Sequence, residues 1–167
     1  MSKPRILVSR AIFPDIVDRL RTHLDVEDNP DDVIWTPAEL AARLADKDGV
    51  FTTGSQRIDA ALIAAAPRLK IVANMAVGYN NFDVDAMTAA GVQGTNTPDV
   101  LTETTADFGF ALLMATARRI TESEHYLRAG KWTTWRYDMF AGSDIHGSTL
   151  GIIGMGRIGQ GIAKRGA

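Results

Sequence analysis

Short apolar runs alternate with longer segments of helical periodicity along the first part of the chain. The first run covers residues 6–8, and the segment after it repeats Ile16 and Leu20 at the spacing of one helix face. The same alternation predicts strands over residues 5–9, 25–28, 49–53, 69–74 and 92–95, and helices over 13–23, from 36 onward, over 58–66 and over 84–90. Repeated βα units of this kind require a parallel sheet covered on both faces, so the fold class is α/β.

Two helix ends carry recognisable local signals. Thr36 precedes Pro37, and Glu39 stands as the third helical residue, which is the pattern of a capping box with Pro at the first position. Gly91 follows the segment 84–90 and is typical of a helix C-terminus. These signals fix where two of the predicted helices begin or end.

A longer apolar segment follows Pro98. Residues 101–128 are predicted as one long helix that carries Phe108, Leu112 and Met114 and is apolar round much of its first half. A helix apolar on nearly all sides has to be buried, either in a core or against another subunit. Residues 131–137 then combine two tryptophans with basic residues, and by themselves indicate a surface loop.

Three glycines stand between an apolar run and a helical pattern near the end of the sequence. Residues 149–153 predict a strand and 157–165 a helix, with Gly154, Gly156 and Gly159 at the spacing G-x-G-x-x-G. In a dinucleotide site the first glycine makes the turn, the second admits the pyrophosphate and the third allows close packing of helix on strand. The alternative is a glycine-rich turn without a ligand.

Ligands of parallel sheets bind beyond the carboxyl ends of the strands, which directs attention to two loops. Gly54 follows the strand predicted over 49–53, and residues 76–81 follow the strand over 69–74. Val77 and Gly78 would offer consecutive backbone N–H groups to a carboxylate, as anion nests do. The alternative is that both loops are ordinary βα turns.

Composition narrows the classes of function. The 167 residues include 18 Lys and Arg against 20 Asp and Glu, so no excess of positive charge favours a nucleic-acid partner. There is no cysteine, and His23, His125 and His146 are too far apart in sequence to suggest a metal cluster. No signal-peptide core or membrane-length apolar run is evident, so we expect a cytoplasmic protein without a membrane partner.

Three motifs together resemble the D-isomer-specific 2-hydroxyacid dehydrogenases. They cover residues 77–83, 96–107 and 149–159, in that order. The resemblance spans the whole sequence and is closest to the glyoxylate/hydroxypyruvate reductases, including the 2-ketogluconate reductase branch. It implies a flavodoxin-like, parallel-sheet substrate domain over 1–98, a linking helix and dimerisation arm over 99–147, and the first βα unit of a Rossmann domain over 148–167. The chain would then be C-terminally truncated.

The resemblance also implies roles for particular residues. Val77 and Gly78 would bind the substrate carboxylate through their N–H groups, with Gly54 lining the same pocket. Trp135 is similar to a tryptophan that reaches into the partner subunit's active site, which implies a homodimer. The residues implied to bind NADPH or NADH are Thr105, Gly154, Gly156, Arg157, Ile158 and Gly159. Asn80 departs from the Asp common at that position, which matters little if the backbone binds the substrate.

The implied reaction is hydride transfer between the nicotinamide and the 2-carbon of glyoxylate, hydroxypyruvate or 2-ketogluconate. The family's general-acid histidine, the glutamate that orients it and the substrate-binding arginine correspond to positions beyond residue 167. No catalytic residue is therefore expected within 1–167, and none of the three histidines is a credible substitute. The 167 residues alone should be inactive. The alternatives are a non-catalytic, nucleotide-sensing relative of corepressor type and a fragment that serves only in dimerisation.

Overall fold

A computed structural model describes residues 2–167, which divide into two compact units. The first unit ends at Val100, and the second covers Leu101–Ala167. The second unit therefore holds both the segment expected to form the dimerisation arm and the segment expected to open the nucleotide domain.

A five-stranded, all-parallel sheet forms the centre of the first unit. Its strands are β1 Arg5–Val8, β2 Asp25–Glu27, β3 Gly49–Thr52, β4 Ile71–Asn74 and β5 Gln93–Thr95. The spatial order is β2-β1-β3-β4-β5, which is the flavodoxin-like order with its switch point between β1 and β3. The predicted α/β class and parallel sheet are confirmed.

Four helices connect these strands and supply the apolar cover. They are α1 Pro14–His23, α2 Pro37–Leu44, α3 Ala60–Ala65 and α4 Val84–Ala90. Leu7 and Val72 on the sheet and Leu44 on α2 are completely buried in one continuous core. The sheet is therefore held rigidly, and its strand ends give fixed starting points for the loops.

The local signals at the helix ends act as the sequence predicts. The Glu39 N–H donates to Thr36 Oγ1 at 3.3 Å, and the Thr36 N–H donates to Glu39 Oε2 at 2.8 Å, which completes the capping box. Gly91 ends α4 with φ +69°, a conformation that glycine adopts without steric cost. The predicted start of α3 at Ile58 is wrong, because Asp59 caps that helix and Ile58 instead forms a bridge with Phe82.

The second unit consists of three helices and loops. Its helices are α5 Thr102–Ala117, α6 Ile120–Arg128 and α7 Arg157–Gly166. The predicted single helix over 101–128 is wrong, because Arg119 has φ +54° and divides it. Contacts from later in the chain hold the break: the Ser143 N–H donates to the carbonyl oxygen of Ala117 at 2.8 Å, and the Arg119 guanidinium lies over the Phe140 ring.

Helices α5 and α7 pack closely against each other within this unit. Ala106 is completely buried, and a Cβ placed on Gly161 would lie only 2.8 Å from the Ala106 Cβ. Beside this contact, Arg165 forms ion pairs with Asp107 at 2.5 Å and with Glu103 at 3.0 Å. The hydrogen bond that Arg165 donates to Asp107 raises the pKa of Arg165. The absence of a side chain at Gly161 permits this approach.

Residues 149–153 do not form the predicted strand. They run as irregular chain, and the Ile153 side chain is fully exposed. A strand needs a neighbour to pair its backbone groups, and the sheet formed within residues 2–167 has only β1 to β5 as members, all from the first unit. Among the same residues, no helix is both long enough and apolar enough to cross a membrane.

Candidate functional site

Two loops meet at the carboxyl ends of β3 and β4. Gly54 lies in the loop after β3, and a Cβ placed on it would stand 3.5 Å from the Cβ of Ala76, in the loop after β4. The backbones are joined nearby, since the Met75 N–H donates to the carbonyl oxygen of Thr52 at 2.7 Å. The structure therefore brings the predicted residue Gly54 beside the loop that carries Val77 and Gly78.

Three consecutive carbonyl groups of the second loop accept hydrogen bonds from strand ends. The Ala76 oxygen accepts from the Thr97 N–H at 2.9 Å. The Val77 oxygen accepts from Asn96 Nδ2 at 2.8 Å, and the Gly78 oxygen accepts from Asn74 Nδ2 at 2.9 Å. The path of the loop is therefore fixed by donors that come from both β4 and the segment after β5.

The N–H groups of the same loop remain available. Among residues 2–167, the N–H groups of Val77 and Gly78 donate no hydrogen bond. Gly78 is exposed, and a side chain there would crowd Asn80 Oδ1, which lies 3.2 Å from the position of its Cβ. Consecutive backbone N–H groups without an acceptor are the kind of donors from which anion-binding nests are built.

A hydrogen-bonded group of polar side chains on the sheet side of this loop connects it to β1 and β3. Asn81 Nδ2 donates to the Gln56 carbonyl oxygen at 2.9 Å, and the Gln56 side chain accepts hydrogen bonds from Ser9 and Thr52. Sequence reasoning missed Asn74, and with it Asn81 and Asn96. A signal was available in the sequence: Asn74 ends β4, and Asn96 directly follows β5. An amide that is buried at a strand end has to bind backbone groups nearby.

The cation at the same edge of the sheet already has a partner. Arg10, just after β1, binds Asp32 through two hydrogen bonds of 2.7 Å and also donates to Ser55 Oγ at 3.0 Å. The hydrogen bond from Arg10, helped by the Ala11 N–H, lowers the pKa of Asp32 to about 2. Arg10 is therefore already neutralised by Asp32.

The glycine turn of the second unit has the geometry of an open cradle. Gly154 has φ +97°, and Gly156 is the N-cap of α7 without a side-chain hydrogen bond to the first turn. No atom lies within 4 Å of a Cβ placed on Gly156, whereas a Cβ on Gly159 would overlap the Gly154 carbonyl oxygen. The residues present therefore fit a pyrophosphate held at the start of α7 by N–H groups and the helix dipole.

The other predicted site residues are distributed over both units. Thr105 lies in the first turn of α5, next to the buried Ala106. Trp135 is 75% exposed and lines a cleft of about 690 Å³ with Leu127 and Phe140. Gly54, Val77 and Gly78 belong to the first unit, while Thr105, Trp135 and the glycine turn belong to the second.

The histidines do not assemble into a catalytic or metal site. His23 ends α1 in the first unit, whereas His125 lies on α6 and His146 in the loop before residue 149. Within residues 2–167, no group of three or more His, Asp or Glu side chains is placed to hold a metal ion.

Comparison with known proteins gives one family. The D-isomer specific 2-hydroxyacid dehydrogenase catalytic domain matches residues 6–150. Curated relatives include the glyoxylate reductases of Thermococcus kodakarensis and Thermococcus gammatolerans, which are 45% and 47% identical over 167 residues, or 98% of this chain. The alignment covers 50% of each relative, so the chain spans about half the length of the curated relatives it matches.

Solved structures agree with this relationship. A D-isomer specific 2-hydroxyacid dehydrogenase from a Polaromonas species, described as putative and NAD-binding, has a TM-score of 0.91 at 34% identity and covers 98% of this chain and 52% of its own. An NADPH-dependent glyoxylate/hydroxypyruvate reductase from Sinorhizobium meliloti, solved with NADP and malonate, has a TM-score of 0.80 at 38% identity. That match covers 98% of this chain and 50% of the other.

Proposed function

The chain belongs to the D-isomer specific 2-hydroxyacid dehydrogenase family, and from that premise we propose that it forms part of an NAD(P)-dependent reductase. The substrate is a small 2-keto acid, namely glyoxylate, hydroxypyruvate or 2-ketogluconate, and the product is the D-2-hydroxy acid. One observation carries the proposal. At the carboxyl edge of the sheet, the backbone N–H groups of Val77 and Gly78 have no hydrogen-bond acceptor among residues 2–167. This enzyme is cytoplasmic and binds neither nucleic acid nor membrane.

The substrate carboxylate binds the N–H groups of Val77 and Gly78, with Gly54 lining the pocket. Backbone donors suit a 2-keto acid because they bind its charge without adding a bulky or competing side chain. Hydrogen bonds to an ionised acceptor are about twice as strong as neutral ones. Because Gly78 lacks a Cβ, the carboxylate can approach the backbone closely.

NADPH or NADH binds at the glycine turn of the second unit. Gly154, Gly156 and the first residues of α7, Arg157 and Ile158, would hold the pyrophosphate, while Gly159 keeps α7 against the turn. Thr105, on the neighbouring helix α5, lies near the cofactor. When bound there, the cofactor would supply the hydride that the 2-carbon of the substrate accepts. The domain organisation that goes with these roles is a substrate domain over 1–98, an arm over 99–147 and the opening of a nucleotide domain over 148–167.

The 167 residues do not catalyse the reaction by themselves. The general-acid histidine, its glutamate partner and the arginine of this family have no counterparts here, and His23, His125 and His146 lie apart from the anion site in sequence. With glyoxylate or hydroxypyruvate, the chain should not oxidise NADPH or NADH. Turnover of about 1 per second or more would contradict this assignment.

The exposed apolar face of the second unit favours a homodimer. Phe108 is 65% and Leu112 52% exposed on α5, and Trp135 is largely exposed beside α6. Large apolar side chains exposed in this number are more typical of an interface than of a monomer's surface. A second copy covers this face with an interface on the order of 2,000 Å² or more in total. A stable monomer in light scattering at high concentration would contradict this part of the proposal.

An anion titration tests the substrate site in the chain as it exists. Adding glyoxylate to ¹⁵N-labelled chain should shift the amide resonances of Val77 and Gly78 in a saturable manner, while sodium chloride at equal ionic strength should not. Gly78→Val should abolish the effect by blocking the approach of the carboxylate, whereas Gly151→Ala, where no atom lies within 4 Å of the added Cβ, should retain it. Absence of a glyoxylate-specific shift in the unmodified chain would refute the site.

A further inference from the structure

Two asparagines hold the loop of residues 76–81, the anion loop, from opposite sides. We propose that Asn74 and Asn96 are positioning residues: by binding the carbonyl oxygens of Gly78 and Val77, they hold the loop in the path on which the N–H groups of Val77 and Gly78 face the substrate carboxylate. The inference rests on the proposed function, because it assumes that a carboxylate binds these two groups. It adds to that function the reason why the donors point outward.

The argument begins with the planarity of the peptide unit. In a trans peptide the carbonyl oxygen of one residue and the N–H of the next point in opposite directions. The Ala76 oxygen accepts from the Thr97 N–H, so the Val77 N–H faces away from that strand end. In the same way, the hydrogen bond from Asn96 Nδ2 to the Val77 oxygen turns the Gly78 N–H outward.

Asn74 fixes the far end of the same loop. Its Nδ2 donates to the Gly78 oxygen at 2.9 Å and lies 3.4 Å from Asn81 Oδ1, so both neighbours of this nitrogen are acceptors. The two acceptors determine the orientation of the amide. Gly78 is thus held at both of its peptide units, by Asn96 on one side and by Asn74 on the other.

Burial of the Asn74 side chain lowers the stability of the fold. The residue is only 3% exposed, and its Oδ1 is buried with no hydrogen-bond partner among residues 2–167. A buried acceptor without a partner costs free energy that an apolar side chain of the same size would avoid. The hydrogen bond from Asn74 Nδ2 to the Gly78 oxygen gives a functional reason for this loss of folding free energy.

The Asn96 amide also opposes one unproductive rotation of the loop backbone. Rotation of the peptide between Val77 and Gly78 would exchange an N–H for a carbonyl oxygen at the anion site and repel a carboxylate. Asn96 opposes this rotation because it binds the Val77 oxygen directly. Neutral amide donors perform this task without a charge that would compete for the substrate.

The test is the glyoxylate titration, repeated on variants of the chain. Asn96→Ala removes a half-buried side chain and leaves Gly78 unchanged. We expect the dissociation constant for glyoxylate to rise about threefold to tenfold, the effect of losing one hydrogen bond. Asn74→Ala should weaken binding by a similar factor. If Asn74→Ala does not fold, Asn96→Ala alone decides the matter.

Asn29→Ala is the matched control for a purely structural role. Asn29 is 4% exposed, and its Nδ2 donates to the carbonyl oxygens of Ser9 and Val33 at 3.1 and 2.9 Å; within the described part of the chain it has no hydrogen bond to residues 76–81. This variant should lower the melting temperature and leave the dissociation constant for glyoxylate unchanged. A structural role for Asn96 would give the same pattern in Asn96→Ala.

The outcomes separate the two proposals. If the unmodified chain shows no glyoxylate-specific shift at Val77 and Gly78, the proposed function fails. If the unmodified chain binds glyoxylate and Asn96→Ala binds it equally well, the positioning role is wrong and the proposed function survives. A weakened affinity in Asn96→Ala, with Asn29→Ala unchanged, supports the inference.

Discussion

The close contact between α5 and α7 makes Gly161 a sensitive position. In Gly161→Ala the new Cβ would lie 2.8 Å from the Ala106 Cβ, whereas ordinary contact begins at 3.4 Å. Both atoms are attached directly to helix backbones, so no side-chain rotation relieves the clash. Helix α7 has to withdraw from α5 by about 0.6 Å or more, which would also move the glycine turn relative to Thr105.

Two opposing effects determine the size of the change. Alanine is favoured over glycine inside a helix by about 1 kcal/mol. Inserting a methyl group into a packed contact costs about 1–3 kcal/mol. We therefore expect Gly161→Ala to change the local stability of α7 by between about zero and a loss of 2 kcal/mol. Replacing the opposing residue in Ala106→Gly removes the clash, so Gly161→Ala should then stabilise α7 by about 1 kcal/mol.

Native-state hydrogen exchange of the α7 amides measures this double-mutant cycle. The coupling between the two positions should be about 1–3 kcal/mol, and the exposed Lys164→Ala control should stay within about 0.5 kcal/mol of the unmodified chain. If Gly161→Ala slowed exchange equally in both backgrounds, there would be no coupling. The close approach of the two helices would then not be what requires a glycine.

Three further predictions concern the first unit. The pKa of Asp32 is lowered from 3.8 to about 2 by the hydrogen bonds from Arg10 and the Ala11 N–H, so its stabilising effect is present above about pH 4 and is lost as the pH falls toward 2. Circular dichroism should therefore show the advantage over Asp32→Asn disappearing across that interval, and a constant difference would contradict the ion pair. Thr36→Ala should cost about 1 kcal/mol in urea unfolding, with Thr36→Ser retaining most of the stability; equal losses would rule out the cap. Leu44→Ala should cost about 2–5 kcal/mol, because Leu44 is fully buried, and a loss below 1 kcal/mol would contradict its place in the core.

The candidate sites were predictable to different degrees. The glycine turn could be located from sequence because two of its glycines meet local steric requirements, namely φ +97° at Gly154 and the close Gly154 carbonyl oxygen at Gly159. Val77 and Gly78 could be proposed as donors because they follow a strand of a parallel sheet. Asn74 and Asn96 could not be assigned, since an asparagine near a strand end has many possible partners and only the fold selects one.

The sequence by itself determined the order of strands and helices in the first unit and the ends of individual helices. Apolar periodicity, the Thr36–Glu39 capping box and the stop at Gly91 act over a few residues, so their consequences do not depend on distant parts of the chain.

Only the tertiary structure decided the features that depend on contacts between distant residues. The break at Arg119 is held by Phe140 and Ser143, which return to the helix from more than 20 residues away. Residues 149–153 have a strand pattern and yet form no strand, because a ladder needs a neighbour and periodicity cannot supply one. The outward N–H groups of the anion loop likewise depend on partners from two separate strand ends, and no local pattern encodes that meeting.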